Sequence, residues 1–278
     1  YSPTGTQLWR RSYHGPRDDD SLAGMQVDLL GNTYVAGWSR AGPRTEIATV
    51  KYSPSGESLW ARRWIAPDSL KTQGLALTLT DSGPCAGGWY YHERSYDTGY
   101  LNGVTIRYDQ NGNEQWTSSF SSPGPSLDAA NDVTFDGDGN IIAVGYLDMT
   151  NEARKLAVAK YSPTGELLWM QTYQYIQGRD AIGTKVAIDG WNNIYVTGYS
   201  KGEGTGLDYV TLKYDPWGNQ LWARRYDGPA HGNDKPVGLA VDRSGNVVVT
   251  GQSYGVGTDL DYATVRYSTS GQELWVRR

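Results

Sequence analysis

One phrase returns six times along the chain, at 1–9 (YSPTGTQLW), 52–60 (YSPSGESLW), 108–116 (YDQNGNEQW), 161–169 (YSPTGELLW), 214–222 (YDPWGNQLW) and 267–275 (YSTSGQELW). Its tryptophans, Trp9, Trp60, Trp116, Trp169, Trp222 and Trp275, advance by 51, 56, 53, 53 and 53 residues. A period of that size marks a stacked-repeat fold, because each repeat is one supersecondary unit that cannot bury both of its faces alone. In the first full repeat, β-prone stretches at 25–29, 33–38, 47–52 and 58–64 are separated by turn-forming Leu30-Gly31-Asn32 and Ser53-Pro54-Ser55-Gly56. No window holds helical spacing. The pattern predicts an all-β chain, a β-propeller of four-stranded blades with a tryptophan at a constant place in each.

As a single propeller domain over 1–278, the chain divides into a lone outer strand at 1–13 and five blades near 22–65, 73–120, 129–174, 181–226 and 235–278. That is one outer strand more than five blades require. The chain is then a five-bladed ring with one end displaced, an arc of a six- or seven-bladed ring, or a molecule whose spare strand pairs with a second copy. The last of these makes head-to-tail association, and with it a filament, the expected behaviour. Arginine pairs on the outer strands (Arg10-Arg11, Arg62-Arg63, Arg224-Arg225, Arg277-Arg278) read as solvated edge protection.

The stretches 27–39 (VDLLGNTYVAGWS), 187–200 (AIDGWNNIYVTGYS) and 241–253 (VDRSGNVVVTGQS), each followed by a K/R-Y phrase and the tryptophan strand, resemble the SBBP repeat, a β-propeller repeat of bacterial and archaeal secreted and surface proteins. The resemblance covers nearly the whole chain and implies a surface-exposed propeller with no shared catalytic residues. Repeat two departs from it at the turn Thr80-Asp81-Ser82-Gly83-Pro84. The phrase TGELLW at 164–169 also looks like the tryptophan-docking phrase of quinone-dependent dehydrogenase propellers, where it packs blades and does not bind the quinone. No cofactor is expected from it.

Composition agrees with packing between blades: Tyr (21) and Trp (11) are abundant while Phe (2) is nearly absent, and twelve of the Tyr and Trp are the opening Tyr and closing Trp of the six phrases. A net charge of −5 argues against a nucleic-acid partner. No apolar run reaches the roughly 20 residues of a membrane-spanning helix. The lone Cys85 excludes a disulfide framework and is expected to be a small buried hydrophobe. The chain opens and closes in mid-repeat, which reads as a piece processed from a longer secreted or cell-surface precursor.

Strand-to-strand loops differ from repeat to repeat at one end only: 40–46, 91–102, 148–154, 201–208 and 254–261, with the loops that join successive blades. Variable loops on a rigid scaffold are where binding is usually placed. Three features stand out there. Asp20, Asp128, Asp180 and Asp234 recur eight or nine residues before a turn aspartate; each reads first as a cap on backbone amides, and alternatively as part of a carboxylate ring holding a cation such as calcium. The longest loop carries Trp89, Tyr90, Tyr91, His92, Tyr96 and Tyr100, suited to a protein partner or to stacking on sugar rings. The third, Asp136-Gly137-Asp138-Gly139-Asn140, looks like the start of a calcium loop but matches the ordinary turns DLLGN, DGWNN and DRSGN and lacks a downstream bidentate Glu.

Catalytic patterns are thin. His14, His92 and His231 sit in separate loops without metal-ligand spacing, and no phosphate-binding glycine loop is present. The reading is an extracellular scaffold, adhesive or protein-binding propeller, more a non-enzyme than an enzyme. The alternatives are a propeller lyase or hydrolase with an acidic funnel, and a carbohydrate-binding module.

Overall fold

A computed structural model describes residues 2–15, 19–67, 69–92, 100–121, 127–148 and 153–278. The described strands form five four-stranded antiparallel sheets, each built in chain order. The chain separates into two compact units, 1–121 and 122–278. The first holds sheet I, with β1 (Asp20–Val27), β2 (Thr33–Ala41), β3 (Arg44–Tyr52) and β4 (Ser58–Trp64), and sheet II, with β5 (Ser69–Thr80), β6 (Gly83–His92), β7 (Tyr100–Tyr108) and β8 (Glu114–Phe120). The second holds sheet III, with β9 (Ala129–Phe135), β10 (Ile141–Leu147), β11 (Lys155–Tyr161) and β12 (Leu167–Tyr173), and sheet IV, with β13 (Ala181–Ile188), β14 (Ile194–Lys201), β15 (Leu207–Tyr214) and β16 (Gln220–Tyr226). Sheet V completes it, with β17 (Lys235–Val241), β18 (Val247–Gly255), β19 (Thr258–Tyr267) and β20 (Glu273–Arg277).

The strands run further toward the variable end than the residue pattern suggests. In sheet I the Ala41↔Arg44 pair leaves only Gly42 and Pro43 as the connection, and Gly255↔Thr258 leaves only Val256 and Gly257 in sheet V. The expected 40–46 and 254–261 loops are therefore mostly ladder. The lone outer strand expected at 1–13 is not a strand: residues 7–15 belong to no sheet, while β20 takes the place beside β19. The segment is held by side chains instead, through Trp9 Nε1 on the Pro54 carbonyl at 2.9 Å and the Tyr13 hydroxyl under Arg63 Nε at 2.8 Å.

Short polar residues close the turns at the opposite end. Asp28, Asp136, Asp189 and Asp242 each accept the amides two and four residues on, and Asp109 and Asp215 do the same in the β7–β8 and β15–β16 turns. Asp136 also takes Lys160 Nζ at 2.8 Å, so the DGDGN stretch is this ordinary turn. Each turn needs one residue with positive φ; glycine supplies it almost everywhere, and Asn192 at 62° takes that place in the β13–β14 turn.

Burial explains why the middle strands read as continuous apolar runs. β10, β11 and β15 are buried along most of their length, and sheet IV, which holds β15, has sheets III and V against it; β4 and β12 stay largely exposed. In the first unit β5 packs on sheet I, and in the second β13 packs on sheet III and β17 on sheet IV. The first strand of each sheet carries a bulge, at Leu22/Gly24, Gly74/Ala76, beside Val144/Gly145, Gly183/Lys185 and Pro236/Gly238. The bulge presses a carbonyl into the space a Cβ would fill on Gly37, Gly88, Gly145, Gly198 or Gly251 of the second strand.

Tryptophan couples neighbouring sheets. Trp60 Nε1 donates to the Gln110 carbonyl (3.0 Å), Trp169 to Pro216 (3.2 Å) and Trp222 to Thr269 (3.1 Å), and the three rings lie on Gly112, Gly218 and Gly271 of the next sheet's outer turn. Trp9 stands in the same way on Gly56. Trp116 and Trp275 are half-buried on β8 and β20. Arginine has a larger part than edge protection. Arg62 and Arg224 stack on Trp60 and Trp222 at 5.8 and 5.9 Å and donate Nε to the Gly112 and Gly271 carbonyls. Cys85 is fully buried, and burial, opposed by Arg107, pushes its thiol up to about 12.

Candidate functional site

The end that carries the strand 2–3 connections and the sheet-to-sheet loops holds the residues of interest. The four recurrent aspartates lie there, and each accepts a backbone amide. Asp20 takes Gly15 N (3.0 Å), Asp128 takes Asp148 N (2.8 Å) and Asp180 takes Arg154 N (3.0 Å). Asp234 takes Gly228 N (2.6 Å) and Tyr254 N (3.1 Å). Capping is thus what the four share, as expected of a carboxylate where a loop enters a strand. Asp128 and Asp234 are fully buried whereas Asp20 and Asp180 are exposed. Among the described residues, Asp234 alone of the four joins a cluster, with Asp208 and Asp227, whose ligating atoms lie within 4.8 Å of one another.

The aromatic loop divides. Tyr90 is buried against Trp64, ring centroids 5.8 Å apart and edge-on, and accepts Asn102 Nδ2 at 3.3 Å, so it packs its own unit. Tyr91 is half-buried. His92 and Tyr100 are the last backbone pair of the β6–β7 ladder, and Tyr96 lies outside the described residues. Trp89 is different. It lines a cavity of about 280 Å³ together with Trp38, Asp19, Arg40, Pro43, Thr45, Lys71, Thr72 and Gln73.

Local sequence explains this cavity. Trp38 and Trp89 each follow the glycine that faces the bulge of the first strand, so both hold the same register position on β2 and β6. Both rings are half-buried. Thr72 fixes β5 to β3 beneath them, its hydroxyl donating to the Thr45 carbonyl (2.7 Å) and its amide to Thr45 Oγ1 (3.0 Å). Arg40 and Asp19 form an exposed pair at 2.9 Å, and Lys71 has no carboxylate partner among the described residues. The groove therefore offers two indole surfaces beside an unpaired ammonium and a half-compensated guanidinium.

The same register position carries Tyr146 in sheet III and Tyr199 in sheet IV, each with a cation over its ring, Arg154 at 5.1 Å and Lys235 at 5.3 Å. An aromatic residue thus recurs at this position in sheets I to IV, with a cation over the ring in sheets III and IV, and Gln252 takes its place in sheet V. The residue pattern singled out Trp89 by the length of its loop and passed over Trp38, Tyr146 and Tyr199. Their common signal was the Gly-aromatic step in VAGW, VGY and VTGY.

No family model and no curated protein matches the chain. Solved structures do. A protein of unknown function from Dyadobacter fermentans aligns over 91% of this chain and 80% of its own at 10% identity and a TM-score of 0.58. The polysaccharide lyase Uly1 aligns over 99% and 76% at 11% identity and a TM-score of 0.59. An ACO/RPE65 chimera aligns over 90% and 58% at 11% identity and 0.50. At such identities these are likenesses of fold.

Proposed function

We propose that this chain is a β-propeller of the SBBP-like kind, displayed outside the cell, that binds an anionic saccharide at the end carrying its variable loops. The propeller reading draws on the five equal sheets and on the exposed apolar sheet surfaces each unit carries, Leu22, Met25 and Val27 on β1 and Val237 and Tyr262 on sheet V, which a neighbouring sheet would cover. The saccharide reading rests on one observation, the cavity lined by Trp38 and Trp89 with Arg40 and Lys71. Indole faces stack on the C–H faces of sugar rings, and cations at the groove edge meet a carboxylate or sulfate. The fold likeness to a polysaccharide lyase fits a carbohydrate-handling scaffold. We read binding and not bond cleavage, because Asp20, Asp128, Asp180 and Asp234, the acids that an enzymatic funnel would use, each cap a backbone amide.

Affinity electrophoresis tests the reading. Migration should be retarded by polygalacturonate and unaffected by a neutral β-glucan. Trp89→Ala should weaken retardation at least ~10-fold, which corresponds to about 1.4 kcal/mol, while Trp191→Ala in the β13–β14 turn of the other unit should leave it unchanged. Retardation that survives Trp89→Ala, or none with either polymer, would overturn the assignment.

A further inference from the structure

The loops 202–208 and 227–234 of the second unit are laced into one structure. Asp234 N donates to the Leu207 carbonyl (2.5 Å), Leu207 N to Asn233 Oδ1 (2.9 Å) and Gly206 N to the His231 carbonyl (3.0 Å), with His231 held at a φ of 53°. This lacing brings Asp208, at the start of β15, to Asp227 and Asp234. Asp208 is 3% exposed and Asp234 fully buried.

Oxygen by oxygen, the cluster is not satisfied by the protein. Asp208 Oδ2 takes the Arg225 guanidinium and Thr205 Oγ1 (2.9 Å), and Asp227 Oδ2 takes His231 Nδ1 (2.5 Å). Asp208 Oδ1 and Asp227 Oδ1 are both buried with no hydrogen-bond partner. An orphaned buried carboxylate oxygen is costly, and two of them in a group of three acids ask for a common positive partner. Arg225 supplies one positive charge on the far oxygen. Burial, with repulsion from Asp227 added to it, raises the Asp208 carboxyl above its ordinary range despite Thr205 and Arg225.

The arrangement is also particular to this place in the repeat. Sheet I keeps the register equivalents Ser39, Glu46 and Arg63 of Ser200, Asp208 and Arg225, with Arg63 4.0 Å from Glu46, but the residue that matches Asp227 is Ile65. An acid–arginine pair is therefore the common device, and Asp227 is what turns it into a three-carboxylate group.

We propose that Asp208, Asp227 and Asp234 hold a divalent, oxygen-preferring cation of calcium's kind. The donors are carboxylate oxygens on two loops, which suits the irregular, oxygen-only coordination of calcium better than the tetrahedral nitrogen and sulfur donors that zinc favours.

Terbium luminescence is the direct assay. Tyr209, whose phenol feels the Asp234 charge, is the antenna. Terbium added to the intact chain should give sensitised emission that calcium displaces, and calcium should raise the melting midpoint by roughly 5 °C over chelator at about a hundredfold excess over Kd. Asp227→Asn should abolish both effects, whereas Asp261→Asn, which removes the equivalent acid beside Arg278, should keep both. If Asp227→Asn does not fold, the wild-type comparison decides alone. No sensitised emission with identical melting in calcium and chelator would overturn the site, as would effects that persist in folded Asp227→Asn. Loss of glycan retardation leaves this result untouched, since the saccharide groove lies in the other unit.

Discussion

Placing a methyl group under a docked tryptophan separates the coupling between sheets from the conformational demand of the turn. Gly271 and Gly257 both lie in sheet V with nearly equal φ, 81° and 78°. Alanine at either position therefore pays the same left-handed strain, roughly 1–2 kcal/mol. At Gly257 a Cβ meets nothing within 4 Å, whereas at Gly271 it comes to 2.8 Å from Trp222 Cδ2. Trp222 has little room to retreat: its Nε1 is bonded to Thr269 O at 3.1 Å and Arg224 covers its ring. Overpacking of this kind costs about 1–3 kcal/mol. Gly271→Ala should thus lose about 2–5 kcal/mol in all, and Gly257→Ala only the strain. Trp222 is 8% exposed, so Trp222→Ala alone should lose about 3–5 kcal/mol. With Trp222 already replaced by alanine, adding Gly271→Ala should cost no more than Gly257→Ala does. Urea unfolding followed by far-ultraviolet circular dichroism reads all of these. Equal losses at Gly257 and Gly271, or strict additivity with Trp222→Ala, would refute docking as the coupling.

Two further outcomes follow from titratable groups. Hydrogen bonds from Asn113 and Asn246 hold the turn carboxylates Asp109 and Asp242 below their ordinary value, and at Asp136 burial acts upward but is outweighed by Lys160 and Asn140. A depressed folded pKa gives stability that is present above the unfolded value, about 3.9, and is lost as pH falls through the folded values. The urea midpoint should accordingly hold above about pH 4 and fall below it, less steeply in Asp136→Asn; a midpoint flat down to about pH 2.5 would contradict this. Cys85, buried with its thiol pushed up to about 12, should resist a disulfide-exchange reagent at neutral pH until urea unfolds the first unit, and prompt labelling of the native protein would count against its placement.

What could be read from residues alone was whatever repeats. The phrase around Trp60, Trp169 and Trp222 exposed the period, and the period carried strand number and turn position. The strand ends were not legible in the same way, because β2, β3, β18 and β19 continue into polar residues whose pairing is settled by backbone geometry and not by hydrophobicity. The aspartates illustrate a second limit. Asp20, Asp128, Asp180 and Asp234 share a spacing, which left both a cap and a common carboxylate ring open; what the four have in common in the structure is a bond to a backbone amide. The cluster at Asp208, Asp227 and Asp234 broke the repeat instead of following it, since Asp227 answers to Ile65, and a search for recurrence passes over what occurs once.

Sheets I and IV carry both halves of the joint: a tryptophan that plugs into the next sheet and a glycine turn that receives the preceding tryptophan. Sheet I offers Gly56 and inserts Trp60; sheet IV offers Gly218 and inserts Trp222. A gene segment one repeat long thus encodes a part compatible with its own copies at either side. Duplication or loss of whole repeats leaves every remaining plug facing a matching socket, while a deletion of half a repeat leaves one unmatched. Lineages built this way can change the number of their parts more easily than the length of any one of them, and new chemistry such as Asp227 can be tried in a single copy while the joints stay the same.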